Sequence, residues 1–171
     1  IGDFHDLKKM ADWAAATGQR VLQLLPVNDT TATLSWLDSY PYSANSIYAL
    51  HPQFVYLPDA GVKVDKAYRT QQAELENLPQ VDYEKVNKAK DRLMRKAFAS
   101  TWKKLSASED FQGFVKENEF WLTAYCAYRI LTVKYGTADP SAWGKFSTYG
   151  ERKIRTFVEE NREEADYHTF V

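Results

Sequence analysis

The chain has 171 residues, 44% of them apolar and 15% aromatic, which is enough for a hydrophobic core in one domain. Its 22 Lys and Arg residues balance 23 Asp and Glu residues, and a formal net charge of −1 argues against electrostatic binding of nucleic acid. No apolar run approaches the ~20 residues of a membrane-spanning helix, so we expect no membrane insertion.

A helix followed by a buried strand is predicted at the start of the chain. Asp3 can cap a helix in which apolar residues recur at helical spacing up to Thr17, and Gly18 suits its end. Residues 21–25 have the length and composition of a buried strand, which Pro26 terminates. Helix, glycine and strand in this order are typical of an α/β unit, as in a barrel or a doubly wound sheet.

A long polar and aromatic loop follows the predicted strand. It contains Trp36 and then the run Asp38-Ser39-Tyr40-Pro41-Tyr42-Ser43-Ala44-Asn45-Ser46. Ordinary connections are shorter than this. Flat aromatic faces beside hydrogen-bonding groups suit a sugar, which has an apolar C–H face and a rim of hydroxyls. Polar loops at the carboxyl ends of barrel strands also hold the substrates of (β/α)8 enzymes. The pattern therefore predicts a carbohydrate site.

From residue 65 onward the chain is predicted to be predominantly helical. A short helix is expected over residues 65–76, a long one capped by Asp82, another from Ser108 to Gly136 and a charged one over residues 148–161. Residues 51–58 are bounded by prolines and predicted to be extended. The chain lacks an initiator methionine and stops where a further helix is predicted to begin, so we expect a piece of a larger protein.

A series of short motifs is distributed along nearly the whole chain. In order, they are Leu24-Leu25-Pro26-Val27-Asn28-Asp29-Thr30, Trp36, the loop run above, Ala49-Leu50-His51-Pro52, Val81-Asp82-Tyr83, Glu117-Asn118-Glu119-Phe120-Trp121-Leu122, Tyr125-Cys126-Ala127-Tyr128 and Trp143-Gly144-Lys145-Phe146-Ser147. This set resembles the 4-α-glucanotransferases of glycoside hydrolase family 77, in particular the larger type of the plant cytosol. The resemblance implies an α/β protein: residues 1–64 are an incomplete (β/α)8 barrel piece with one helix, the second strand and a substrate loop. Residues 65–171 are then a helical subdomain inserted after that strand.

The same resemblance implies a reaction. The full-length enzyme would transfer glucosyl or maltosyl units from maltose, malto-oligosaccharides or starch- and glycogen-like glucans to another glucan. It would do so by a retaining double displacement without a cofactor. A cytosolic location is expected, and the oligomeric state is left open.

Tyr42 is the first candidate for substrate binding. In the family, the tyrosine of the Pro-Tyr pair flanks a glucose ring close to the bond that is cut, and Pro41 restricts the backbone before it. The alternative is a tyrosine packed under the loop. Trp36 is a second aromatic candidate, which could line a sugar subsite or anchor the loop.

The remaining predicted substrate-binding residues are polar. Asp38 and Ser39 precede the tyrosine as in the family, although Tyr40 is an extra residue that many shorter members lack. Asn45 and Ser46 match small polar groups that the family places near the substrate. Asp38 could equally accept a hydrogen bond from its own turn, and Ser and Asn are ordinary loop residues.

No catalytic residue, metal site or cofactor site is predicted on this chain. Asp29 and Asp38 could in principle form the pair ~5–5.5 Å apart that a retaining glycosidase needs. The resemblance instead implies catalytic carboxylates on later barrel strands. The three histidines are far apart in sequence, and Cys126 has no second cysteine to pair with and is expected to be a buried structural thiol.

Two other classes of function remain open at this point. One is a non-catalytic helical carbohydrate-binding or interaction module. The other, for residues 65–171 alone, is a structural helical insert that mediates oligomer contacts.

Overall fold

The computed structural model describes residues 2–171, which divide into two compact units, one ending at Ala97 and one running from Phe98 to Val171. The helices of the described chain are α1 (Phe4–Ala16), α2 (Lys66–Glu76), α3 (Tyr83–Leu105), α4 (Glu109–Tyr135), α5 (Glu151–Glu160) and α6 (Arg162–Phe170). Short 3₁₀ helices lie at Trp36–Ser39, Pro52–Phe54, Pro140–Ala142 and Gly144–Phe146. No helix within residues 2–171 has the length and apolar content needed to cross a membrane.

The helices begin and end where capping residues predict. The side chains of Asp3, Asp65, Asp82 and Ser108 each accept a hydrogen bond from a backbone N–H in the first turn of α1, α2, α3 and α4 respectively. At the other end of α4, Gly136 adopts a left-handed φ of 66°, which glycine tolerates without strain. These observations confirm the four helices predicted to begin after Asp3, Asp65, Asp82 and Ser108, and α5 confirms the charged helix predicted over residues 148–161.

The second unit has a hydrophobic core of its own, formed where α4 packs against α5 and α6. Its buried members are Leu122, Cys126, Ala127, Ile130, Leu131, Trp143, Phe146, Ile154, Phe157 and Ala165. The indole N–H of Trp143 donates to the carbonyl of Thr137 at 2.8 Å, so the buried ring leaves no polar group unsatisfied.

Cys126 belongs to this core, as predicted. Its sulfur lies 3.4 Å from the hydroxyl oxygen of Thr169. Burial raises the pKa of the Cys126 thiol to about 11. A thiol with this pKa is protonated and unreactive at neutral pH, in agreement with a packing role.

The predicted strand at residues 21–25 is not formed in the described chain. The segment has no regular structure, and Val21 and Leu25 are 80% and 62% exposed. The segment has the composition of a strand but does not form one, because a strand needs neighbours to pair its backbone groups, and no strand pairs with it within residues 2–171. The described chain is predominantly helical. The barrel, and the boundary between residues 64 and 65, stay predictions.

Residues 51–58 also differ from expectation. Instead of an extended segment, Pro52–Phe54 forms a 3₁₀ turn whose first residue is proline and whose cap is His51, since its Nδ1 accepts from the backbone N–H of Gln53 at 3.1 Å. The ring of Phe54 meets that of Phe4 with centroids 6.0 Å apart. The aromatic contact packs α1 against this turn in the first unit.

Amide hydrogen exchange would test the contrast between residues 21–25 and the middle of α4. We expect the amides of residues 21–25 to exchange at least roughly a hundredfold faster than those of residues 121–131, because only the latter lie in a buried hydrogen-bonded helix. Equal protection of the two segments in a dilute monomer would contradict the absence of strand pairing.

Candidate functional site

The predicted sugar site lies on an irregular loop over residues 28–50, called the tyrosine loop below. Its two ends are held together by an antiparallel bridge between Asn28 and Leu50. The N–H of Asp29 donates to the carbonyl of Ala49 at 2.9 Å, and the N–H of His51 donates to that of Val27 at 2.9 Å. The loop is therefore closed at its base, although no strand leads into it within residues 2–171.

A fully buried carboxylate organises the base of the loop. Asp29 is completely inaccessible, and its Oδ1 accepts from the backbone N–H of Thr31 at 2.9 Å and from the Thr31 hydroxyl at 2.6 Å. The carbonyl of Asp29 accepts from the N–H of Asn45 at 2.7 Å. One residue thus joins the two sides of the loop.

A second buried carboxylate organises the upper part of the loop. Asp38 accepts from the backbone N–H groups of Thr33, at 2.9 Å, and Leu34, at 2.8 Å, and from the Thr33 hydroxyl at 2.8 Å. Its own carbonyl accepts a hydrogen bond from the hydroxyl of Thr30. Leu34 has a φ of 56°, a left-handed conformation that is unfavourable for a branched residue. The bonds to Asp38 hold this strained turn in place.

Two further predicted site residues also brace the loop. Asn45 donates from Nδ2 to the carbonyl of Thr31 at 2.8 Å. The hydroxyl of Ser46 accepts from the N–H groups of Tyr48 and Ala49 at 3.1 and 3.2 Å. Both side chains are partly buried. The bonds found for Asn45 and Ser46 agree with the alternative that they serve as ordinary loop residues, and leave a sugar contact a prediction.

Aromatic side chains, in contrast, face outward. The residues Tyr40-Pro41-Tyr42-Ser43 form a turn closed by a hydrogen bond from the N–H of Ser43 to the carbonyl of Tyr40 at 3.3 Å. Tyr40 and Tyr42 are 59% and 63% exposed. Their ring centroids lie 5.5 Å apart with the planes inclined at 59°. The turn therefore presents two adjoining aromatic faces to solvent.

Trp36 and Ser39 mark the two ends of the 3₁₀ helix before this turn. The Trp36 side chain is 65% exposed, which does not fit a ring packed beneath the loop. Its backbone N–H donates to the carboxylate of Glu84 at 3.2 Å, which ties the loop to α3. Ser39 is partly buried. Trp36, Ser39 and Tyr42 thus lie within residues 36–42, where the two aromatic side chains are exposed and Ser39 is partly buried.

The two loop carboxylates do not resemble a catalytic pair. Each accepts backbone and hydroxyl hydrogen bonds from the turn that follows or precedes it, and both side chains are buried. A nucleophile and a general acid must instead reach the bond that is cut. No group of three or more His, Cys, Asp and Glu suited to a metal ion occurs within residues 2–171.

Sequence reasoning missed two features of this region. The pairing of Tyr40 with Tyr42 depends on turn geometry, for which Pro41 was the available signal. Lys90, on α3, donates from Nζ to the carbonyls of Gln53 and Val55 at 2.5 and 2.9 Å. Burial lowers the pKa of Lys90. Nothing in a charged helical stretch distinguishes this lysine from its solvated neighbours.

Comparisons with known proteins agree with the motifs. The sequence profile of the 4-alpha-glucanotransferase family matches residues 1–171. The 4-alpha-glucanotransferase DPE2 of rice is 39% identical over 163 residues, which are 94% of this chain and 17% of the rice protein. The 4-alpha-glucanotransferase of Chlamydia caviae is 32% identical over 177 residues, which are 99% of this chain and 31% of that protein. The 4-alpha-glucanotransferase of Synechocystis is 24% identical over 177 residues, which are 100% of this chain and 34% of that protein.

The chain therefore belongs to the 4-alpha-glucanotransferases of glycoside hydrolase family 77. It spans between about a sixth and a third of the length of these curated relatives. No solved structure matches the chain.

Replacement of Asp38 by alanine would distinguish bracing from sugar contact. We expect the amides of Thr33 and Leu34 to exchange about tenfold faster or more in Asp38→Ala, because they lose a buried acceptor, whereas α4 keeps its protection. Asp12→Ala, on the exposed face of α1, is the matched control and should change neither segment. Unchanged exchange combined with weaker sugar binding would show that Asp38 serves the substrate instead.

Proposed function

We propose that this chain is the part of a 4-α-glucanotransferase that holds the donor sugar. The whole enzyme transfers α-1,4-linked glucosyl or maltosyl units from maltose or malto-oligosaccharides to another glucan by a retaining double displacement. The relatives are named 4-alpha-glucanotransferases, and we assign the same activity to the enzyme that contains this chain. The motifs of the tyrosine loop support this assignment.

One observation carries the assignment of a binding role to this segment. The tyrosine loop directs its carboxylates inward, where they bind the loop's own amides, and its aromatic rings outward. Exposed apolar side chains that adjoin one another often mark a binding site. A glucose ring covers such a face with C–H groups, while the phenolic hydroxyls of tyrosines can bond to its rim.

The role of the loop in the reaction is to position the donor. Tyr42 would stack on the glucose whose bond is cut, and Trp36 and Ser39 would add contacts along the same stretch. A loop braced at both its base and its upper part loses little freedom when the sugar binds, which favours a near-attack geometry. The nucleophile and the general acid would come from parts of the enzyme beyond these residues.

Tyr42→Ala in the full-length enzyme should lower kcat and kcat/KM together, by roughly a hundredfold, because it removes a contact to the reacting sugar. Thermal unfolding should change little, since the side chain is largely exposed. Tyr42→Phe, which keeps the ring, should lose less. A Tyr42→Ala enzyme with near-normal kcat on maltose would show that this tyrosine only covers the loop.

The 171-residue chain by itself should neither release glucose from maltose nor exchange labelled glucose into maltotriose. The family's catalytic carboxylates are expected on later barrel strands, so we expect no covalent glycosyl intermediate to form on this chain alone. The full-length enzyme is the positive control for both assays. Enzyme-dependent disproportionation by the purified chain would contradict this assignment and make Asp29 and Asp38 candidates for a catalytic pair again. Sugar binding without any activity in the full-length protein would favour a non-catalytic binding module.

A further inference from the structure

We infer that Tyr40 is a second sugar-binding residue, which contacts the glucose unit next to the one held by Tyr42. The inference rests on the proposed function and concerns a residue outside the set predicted from sequence. Tyr40 and Tyr42 occupy the first and third positions of one turn, and both rings are mostly exposed. The backbone of a single turn therefore positions both rings.

The geometry of the two rings suits a bent oligosaccharide. Their planes are inclined at 59° with centroids 5.5 Å apart, so the two rings adjoin without being parallel or stacked. Successive glucose units of an α-1,4-glucan are tilted relative to one another because each linkage leaves the ring axially. Two adjoining, inclined aromatic faces can thus each cover one unit, which a single flat platform cannot do.

The backbone holds the turn that carries the two rings in a fixed shape. Pro41, between the two tyrosines, fixes its own φ and biases Tyr40 toward an extended conformation. On the N-terminal side the buried Asp38 anchors the chain, and the N–H of Tyr40 donates to the carbonyl of Leu37 at 3.4 Å. On the C-terminal side the Ser43 hydrogen bond closes the turn. These contacts keep the two rings adjacent in the unbound protein.

The alternative is that Tyr40 only supports the orientation of Tyr42. A supporting residue would act through Tyr42 and would have no effect once Tyr42 is removed. A residue with its own sugar contact would still affect binding in that background. The two roles also differ in kinetics: a contact to a non-reacting glucose unit changes KM, whereas a displaced Tyr42 changes kcat.

The test uses the full-length enzyme with maltoheptaose as donor and acceptor. We expect Tyr40→Ala to raise KM about tenfold, the equivalent of one aromatic contact, with kcat within about twofold of the wild type. The same rise should appear in the Tyr42→Ala background. Tyr40→Phe should behave like the wild type, and Tyr40→Leu, apolar but not flat, like Tyr40→Ala. Tyr149→Ala, an equally exposed tyrosine of the second unit, is the matched control and should change neither constant.

Three results would overturn the inference. They are an unchanged KM in Tyr40→Ala, a fall in kcat that vanishes in the Tyr42→Ala background, and Tyr40→Leu performing as well as Tyr40→Phe. The proposed function fails separately: in that case Tyr42→Ala also leaves kcat and KM unchanged, and the loop is not the sugar site. If Tyr42→Ala lowers kcat while Tyr40→Ala changes nothing, only the role of Tyr40 is rejected.

Discussion

A long loop without strands or helices must still satisfy the hydrogen-bonding groups of its backbone, and in this chain two buried carboxylates meet that requirement. Asp29 and Asp38 each accept both a backbone amide and a threonine hydroxyl. The shape of the tyrosine loop depends on these bonds, including the unfavourable left-handed conformation of Leu34. Each side chain offers two oxygens as acceptors, and together the two residues hold three backbone N–H groups of the turn-rich segment.

The bracing by carboxylates separates the roles of polar and aromatic residues in the loop. The carboxylates and the amide of Asn45 point inward, and Tyr40, Tyr42 and Trp36 are left on the outside. In an enzyme that breaks a glycosidic bond, acidic residues are the first candidates for catalysis. Here both acidic side chains are buried and brace the loop, and the surface that we propose to bind sugar is aromatic.

The second unit is stabilised by hydrophobic packing and not by buried carboxylates. Its helices α4, α5 and α6 are held by a core of apolar and aromatic side chains, and Cys126 is one more packing group within it. Such a core can be predicted from helical periodicity, because it depends on which residues recur on one face. The helix caps at Asp65, Asp82 and Ser108 were predictable for a similar reason: capping is a contact between residues two or three positions apart.

Motifs, caps and periodicity were enough to predict the family, helices α1 to α5 and the aromatic character of the loop, because all three are local properties of the chain. The tertiary structure alone decided what depends on residues distant in sequence. The apolar run at residues 21–25 has strand composition but no strand, because pairing requires neighbours that composition cannot supply. Lys90 likewise binds carbonyls more than 30 residues away. Within the loop, the conformation of the turns, which residue types alone do not specify, decided that Asp38 binds its own backbone and that Tyr40 adjoins Tyr42.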